Sequence, residues 1–390
     1  MIKVDLVKCT GCMACYNVCG KKAISLVANY EGFCYPTIDE AKCVNCGLCD
    51  SVCPLKKQHH RTIEPKVYAI INKNSVFLNS SSSGGAFLLL AEYVFEKKGV
   101  VVGCSFDDDL RARHSIVDNM DDCISKLCKS KYVQSDIGSI FSSVKELLDC
   151  GRIVFFTGTP CQVDGLRNFL RKDYQHLITA DLICHGVSSP VLFKMHKEYL
   201  EKAANGKINN FVFRNKKYLN NSPYYFAICY KNGKVKKGPF YLDRYYSDFL
   251  KGNNFRESCY SCKYAGTNRC GDFTLGDFWG IEKHSNTLPT KKGVSLFMCN
   301  SEKALSIFDC IKNNCFFEEM RVEIAAENNA NLIKSSPRPK VRDDYYKFAL
   351  NDFEKWENSF YKSRYYKKMN VFSKMPLFLK RFFKRLSSRK

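Results

Sequence analysis

The chain has 390 residues, 45% hydrophobic and 14% aromatic, which allows two or three domains with real cores and excludes a disordered protein. Its formal charge is +22, from 61 Lys+Arg against 39 Asp+Glu. No helix-turn-helix, zinc-finger spacing or glycine-aromatic run accompanies that charge, which argues against nucleic acid as a partner. Twenty-two cysteines, without an apolar leader or a run near the roughly 18 apolar residues of a membrane span, point to reduced thiols in a cytoplasm rather than disulfides.

Residues 1–60 open on one cysteine pattern used twice. Cys9, Cys12, Cys15 and Cys19 follow C-x2-C-x2-C-x3-C, and Cys43, Cys46, Cys49 and Cys53 repeat it 34 residues later, ending in Cys53-Pro54. This run wraps two 4Fe–4S cubanes in a bacterial-type ferredoxin module, where the fourth cysteine of each run ligates the other cluster. The expected sets are Cys9, Cys12, Cys15 and Cys53, then Cys43, Cys46, Cys49 and Cys19. Gly20 stands where a proline is usual and moves no ligand. Cys34 lies outside the pattern and reads as packing. Apolar residues are few, so such a module leans on its metal for folding energy.

Residues 56–66 are polar and read as a linker. Residues 67–71 form an apolar strand. Residues 79–85 are a serine–glycine loop that opens a helix beginning AlaPheLeuLeuLeu at Ala86. A strand at 100–102, a helix at 139–149 and a buried strand at 153–156 follow, the last running into Gly158-Thr159-Pro160-Cys161. A helix at 166–170 and a strand at 177–182 then lead to Cys184-His185-Gly186. Strand and helix alternate, so this stretch is α/β. From residue 211 the texture is β-rich, with a hairpin turn at Asn232-Gly233, and a mixed region then holds Cys259 and Cys262. The expected fold is α+β overall. A two-cluster ferredoxin-like module (1–60) precedes an α/β flavin- and iron–sulfur-binding region (61–335, in parts 61–160 and 161–335) and a basic tail (336–390).

Cys161, Cys184, Cys259 and Cys262 all sit beside turns at predicted element ends, where backbone amides can donate to sulfur. Two readings stand. They hold a further cubane, or Cys161 and Cys184 are small buried hydrophobes and Cys259 with Cys262 is half a zinc site. Only His185 and His284 lie near these motifs, a poor supply for zinc.

Five motifs resemble a known family: Ser83-Gly84-Gly85, Lys131-Tyr132-Val133-Gln134-Ser135, Gly158-Thr159-Pro160-Cys161-Gln162-Val163, Asp181-Leu182-Ile183-Cys184-His185-Gly186 and Gly276-Asp277-Phe278-Trp279-Gly280. In this order they resemble the coenzyme F-420 hydrogenase/dehydrogenase beta-subunit family over residues 3–335. The resemblance implies FAD and one intrinsic 4Fe–4S cluster, so three clusters in all. Cys161, Cys184, Cys259 and Cys262 are the implied ligands, with Cys270 as second choice. Family members pass electrons between iron–sulfur centres and a two-electron acceptor. Methanogen members reduce the deazaflavin coenzyme, a plant and cyanobacterial relative reduces a chlorophyll substituent, and similar proteins are encoded among polysaccharide-synthesis genes.

The flavin rests mainly on that resemblance, since no Gly-x-Gly-x-x-Gly fingerprint is present. The loop with Ser82, Ser83, Gly84 and Gly85 offers amides to a pyrophosphate at a helix start; a plain helix cap is the other reading. Lys131, Gln134 and Ser135 can hydrogen-bond the flavin, and Thr157, Thr159 and Gln162 lie at a strand end beside the intrinsic cluster. Arg269 is a further cofactor-site candidate. His185 and Asp277 are candidate catalytic proton donors or pocket residues.

The expected function is that of a ferredoxin-linked, flavin-dependent oxidoreductase. Electrons from a ferredoxin or other redox protein would reach a small-molecule or sugar-linked acceptor, with reverse flow equally allowed. The alternatives are an electron-transfer subunit serving a partner enzyme, and a deazaflavin-coenzyme reductase. A homo-oligomer stays open. Residues 361–390 hold eleven Lys or Arg and no acid. Leu379, Phe382, Phe383 and Leu386 share one helix face opposite Lys380, Arg381, Lys384 and Arg385. Such a segment suits the inner face of an anionic membrane or an acidic partner, or docks on the protein's own core.

Overall fold

The computed structural model describes residues 5–59, 63–216 and 224–375. In the N-terminal module, β1 (Ile24–Ala28) pairs antiparallel with β2 (Cys34–Ile38), Ile24 facing Ile38. Each cysteine run opens a short helix, Ala14–Val18 and Leu48–Ser51. The repeat is visible in the backbone. Gly11 and Met13 take φ of 70° and 63°, and their counterparts 34 residues on, Asn45 and Gly47, take 53° and 74°. Both loops use left-handed turns to aim successive thiols at one point, and Met13 and Asn45 accept the steric cost of that conformation.

The central element is an eight-stranded sheet. Its strands are β3 (Lys66–Asn72), β4 (Val100–Phe106), β5 (Ala112–Val117), β6 (Val154–Gly158), β7 (Leu177–Leu182), β11 (Phe273–Asp277), β12 (Ser295–Cys299) and β13 (Cys315–Met320). They lie in the order β13-β3-β12-β11-β7-β6-β4-β5. β4, β6, β7 and β11 run parallel. Their alternation explains the two-faced core. Val101 and Phe155 pack on one side with Leu88, Leu89 and Phe297, while Val100, Val102, Val154 and Phe156 pack on the other with Phe141, Val163 and Leu166. A second sheet of β8 (Ile208–Val212), β9 (Tyr225–Tyr230) and β10 (Val235–Pro239) is antiparallel throughout. It shares an aromatic core with Phe193, Tyr245 and Tyr246.

The module does not hang on a tether. Cys12, Met13, Ala14 and Val52 belong to the same core cluster as Val163 and Leu166 of the Pro160–Leu170 helix. The stretch read as a linker is pinned as well: Asn168 Nδ2 donates to Lys57 O (2.9 Å), and His59 N to Asp164 Oδ1 (3.1 Å). Residues 342–374, read as part of a basic tail, form three helices, Arg342–Asn351, Phe353–Lys362 and Arg364–Lys374. The first two bury Tyr345, Tyr346, Ala349 and Trp356 in the aromatic core, because those apolar residues recur at helical spacing among the charges. The amphipathic stretch 379–386 lies outside the described residues. Among the described residues no helix is long and apolar enough to cross a membrane.

Candidate functional site

Two groups of thiols and a group of cations stand out among the described residues. The first is in the module. Cys9, Cys12, Cys15 and Cys53 line one cavity together with Leu26, Pro36 and Pro54, so the last cysteine of the second run meets the first three of the first run. Burial pushes the Cys15 thiol up to about 12, and Cys9 and Cys53 add like-charge repulsion. The other set is more open: Cys46 is exposed, while Cys19, Cys43 and Cys49 are half-buried.

The second group is central. Cys161 occupies the first turn of the Pro160–Leu170 helix, whose N-cap is Thr159. Cys184 lies two residues beyond the end of β7, Cys259 sits within the short 3-10 turn Glu257–Ser261, and Cys262 follows that turn as its C-cap. Burial, then Cys259, Cys161 and Cys262, raises the Cys184 thiol. Burial pushes Cys161 up to about 11 and Cys259 up to about 12. All four keep part of their surface accessible although desolvation dominates their titration. Among the described residues no three His, Cys, Asp or Glu side chains converge on a single ion.

Cys270 faces elsewhere. Its Sγ lies 3.2 Å from Pro160 O and 3.5 Å from Asp181 Oδ2. Burial, then Asp181 and Asp164, raises its thiol, so a ligating thiolate there would stand against two carboxylates. Arg269 is spent inside the protein too. It forks onto Asp181 Oδ1 (3.0 and 2.7 Å) and donates to the backbone oxygens of Tyr264 and Leu182 (2.7 and 2.6 Å), buttressing the end of β7. His185 donates to Leu250 O through Nε2 (3.2 Å) and packs edge-on against Phe255, which ties down the loop after Cys184.

A hydrogen-bond chain runs from Cys161 across β6 to β5. Thr159 Oγ1 is 3.2 Å from Cys161 Sγ and 3.1 Å from Gln162 Oε1. Gln162 Nε2 donates to Ser135 O (3.2 Å) and Oγ (3.3 Å), and Ser135 Oγ is 2.6 Å from His114 Nδ1. His114 Nε2 is 3.0 Å from Thr157 O. A carbonyl only accepts, so Nε2 carries the proton and Nδ1 accepts from the Ser135 hydroxyl. Burial lowers the His114 pKa to about 4, which keeps it neutral. Thr157 Oγ1 donates to Val102 O (3.3 Å). Thr159, Gln162 and Ser135 thus follow one another in the hydrogen-bond chain, and Thr159 alone of the three reaches Cys161. His114 was invisible in the sequence, since nothing local links it to Ser135 or Thr157.

Arg256, three residues before Cys259, was also missed. It is buried and donates to Cys9 O (2.7 Å), Cys34 O (3.0 Å) and Gln134 Oε1 (3.2 Å). Gln134 in turn donates to Thr10 O (3.1 Å). Gln134 and Arg256 therefore grip the first cysteine loop. Cys12 lies close enough to Cys161 for its thiol to feel the charge there.

The cations lie about the Ser82–Ser83 loop. Ser82 Oγ accepts from Ser130 N (3.0 Å), and Ser83 Oγ donates to Val294 O (2.8 Å). Lys216 Nζ donates to Leu78 O (2.8 Å) and to Ser83 O; burial, then Arg214, lowers its pKa to about 8. Lys131 Nζ caps the backbone oxygens of Leu127 (3.1 Å) and Cys128 (2.9 Å), and burial lowers its pKa. Arg214 pairs with Asp277 and lies over the rings of Tyr224 and Trp279. Arg214 and Lys292 act on Lys216, with Asp277 as the acid among them, a charge balance that suits an anionic ligand. Gly85 opens the Ala86–Glu96 helix with φ 89°. Gly84 has a different role. A Cβ there would lie 2.1 Å from Ile70 O and 2.4 Å from Ser295 N, so its bareness serves contact with β3 and β12.

Comparison with known proteins agrees with these features. The family profile for the C terminus of the coenzyme F420 hydrogenase/dehydrogenase beta subunit matches residues 151–323. A 4Fe-4S dicluster domain profile matches residues 8–57. Among solved structures, the chain is similar to one from the xenon derivatization of the F420-reducing NiFe hydrogenase complex from Methanosarcina barkeri. The identity is 16% and the TM-score 0.43, over 76% of this chain and 91% of that one. No curated protein matches. The chain is an iron–sulfur electron-transfer protein that joins a 4Fe–4S dicluster domain to the C-terminal region of the coenzyme F420 hydrogenase/dehydrogenase beta-subunit family.

Proposed function

We propose that the protein is a ferredoxin-linked flavoprotein oxidoreductase with three 4Fe–4S sites and one FAD site. The observation that carries this reading is the gathering of Cys161, Cys184, Cys259 and Cys262, close enough for Cys184 to feel the other three, beside the module's buried Cys12. Cys9, Cys12, Cys15 and Cys53 would hold one cluster, Cys43, Cys46, Cys49 and Cys19 the outer one, and the central four the third. Bound clusters supply single electrons, and a bound flavin lets them be paired for a two-electron acceptor.

The chain's own residues do the rest. Thr159 offers a hydroxyl to the Cys161 sulfur. The helix N-terminus beneath Cys161 favours negative charge. Lys131, Arg214 and Lys216, on either side of the Ser82–Ser83 loop, suit the pyrophosphate of a dinucleotide, and Asp277 holds Arg214 in place. Ser82 and Ser83 shape the loop, and Arg269 and His185 hold the strand end and loop around Cys184.

The test is cofactor content under anaerobic purification. About twelve iron and twelve sulfide per chain are expected, with FAD bound noncovalently. Lys216→Ala should lose flavin and keep its iron. About eight iron would remove the central cluster from the reading, and full FAD retention in Lys216→Ala would move the flavin elsewhere. Screening acceptors that reoxidise the dithionite-reduced protein, sugar-linked intermediates and deazaflavins among them, then identifies the acceptor.

A further inference from the structure

The Pro160–Leu170 helix carries a glycine, Gly165, four residues after Cys161. A glycine inside a helix costs about 1 kcal/mol relative to alanine, so the position invites a reason. Four residues are about one helical turn, roughly 6 Å, so Gly165 lies directly below Cys161 on the same face. A Cβ added at Gly165 would stand 2.9 Å from Cys12 Cβ and 3.1 Å from Cys12 Sγ. The missing side chain is a notch, and the Cys12 loop fills it. Met13 and Ala14 continue the contact into the core beside Val163 and Leu166. From the other side Arg256 reaches Cys9 O and Cys34 O, only three residues before Cys259. Gly11 completes the grip. A Cβ there would lie 2.8 Å from Gln134 Nε2 and 2.9 Å from Arg256 Nη1.

We propose that Gly165 and Arg256 are positioning residues that fix the spacing between two thiol sites, Cys9-Cys12-Cys15-Cys53 and Cys161-Cys184-Cys259-Cys262. Gly165 lets Cys12 of one site close directly onto the helix that carries Cys161 of the other. Arg256 places a buried positive charge between them, where it lowers the cost of adding an electron to either. This rests on the three-cluster reading above. The transfer it serves moves one electron at a time, supplied by a one-electron carrier protein, with no bond made or broken and no proton moved. The arrangement also makes the Cys43–Cys49 set, with Cys46 exposed, the outer end of the line.

The test uses the full chain, loaded anaerobically and reduced with dithionite, in four forms: native, Cys161→Ala, Gly165→Leu and Arg256→Met. Iron is counted first. About twelve per chain is expected in the native protein and about eight in Cys161→Ala; about eight in the native protein overturns the three-cluster reading itself. Electron paramagnetic resonance then separates the inference from that reading. The native spectrum should be broadened by spin–spin interaction beyond that of Cys161→Ala. Gly165→Leu should narrow toward Cys161→Ala while keeping about twelve iron. A native spectrum equal to that of Cys161→Ala plus an independent narrow signal overturns the proposal, as does an unchanged spectrum in Gly165→Leu at full iron. Should Gly165→Leu lose iron, redox titration of Arg256→Met decides. More negative midpoints for the two inner sites support the placement of the charge, and unchanged midpoints overturn it.

Discussion

Arg342 and Glu31 face each other through two parallel hydrogen bonds, 2.7 Å each, across 311 residues of sequence. The pair is buried, and Arg342 also donates to Phe255 O from Nε (3.1 Å) and Nη2 (2.9 Å). It ties the module's loop between β1 and β2 to the C-terminal helices, with Ser189 Oγ donating to Glu31 O from a third element.

Removing one partner of a buried ion pair leaves the other charge uncompensated and costs about 3–5 kcal/mol. Arg342→Ala should destabilise the holoprotein by that order, read from anaerobic urea unfolding. It should also speed proteolytic release of the module. A variant that unfolds at the native urea concentration would show that the module is held without this pair.

His196 gives a pH dependence. It is fully buried, with Nδ1 2.6 Å from Glu357 Oε1 and Nε2 3.0 Å from Asp243 Oδ2. Burial opposes its charge, but Asp243 and Glu357 outweigh that and push its pKa up to about 9. A folded-state pKa above the unfolded value stabilises fully below about pH 6.5 and loses that stabilisation as pH rises through about 9. The urea midpoint should therefore fall between about pH 7 and 9.5, and His196→Gln should lose this slope and be less stable at pH 7. Lys236, whose pKa burial lowers, works in the opposite sense, so the comparison between native and variant isolates the histidine.

Thr159→Val removes the hydroxyl 3.2 Å from Cys161 Sγ and leaves the side-chain volume almost unchanged. A donor to a ligand sulfur stabilises the more negative, reduced state. Its loss should lower the central midpoint by about 1 kcal/mol, on the order of 40 mV for one electron. Potentiometric titration at constant iron content reads this directly, and an unmoved midpoint would mean the hydroxyl serves Gln162 instead.

Cys270→Ser should leave the iron content at about twelve per chain, whereas Cys161→Ala should remove about four. The difference follows from their surroundings: Cys270 sits against Pro160 O and Asp181, and Cys161 faces Cys184, Cys259 and Cys262. Loss of iron from Cys270→Ser would reverse the assignment.

What the sequence makes legible is what short-range spacing encodes. The doubled cysteine run, the alternation of strands and helices and the serine–glycine helix start are local patterns. The Gly158–Val163, Asp181–Gly186 and Gly276–Gly280 motifs all fall at C-terminal ends of parallel strands, where ligand sites in such sheets collect. What stays hidden depends on partners far away in the chain. Gly84 reads as a phosphate-loop glycine until Ser295 N, more than 200 residues on, is found where its Cβ would be. Gln134 reads as a flavin donor until Thr10 O and Arg256 claim it. Residues 342–362 read as a tail because Lys, Arg, Asp and Glu dominate there, while the few aromatics that bury are scattered at helical intervals.

The unequal exposure of the module's cysteines sets an order of damage. Cys9 and Cys12 are buried under the rest of the protein, whereas Cys46 reaches solvent. Dioxygen and chelators meet the outer cysteines first, and susceptibility to oxidation follows access. In air, iron should leave in two phases, about four early and the remainder slowly. The solvent-facing set is thus the part that should wear out first, while the thiols sealed against the Pro160–Leu170 helix outlast it.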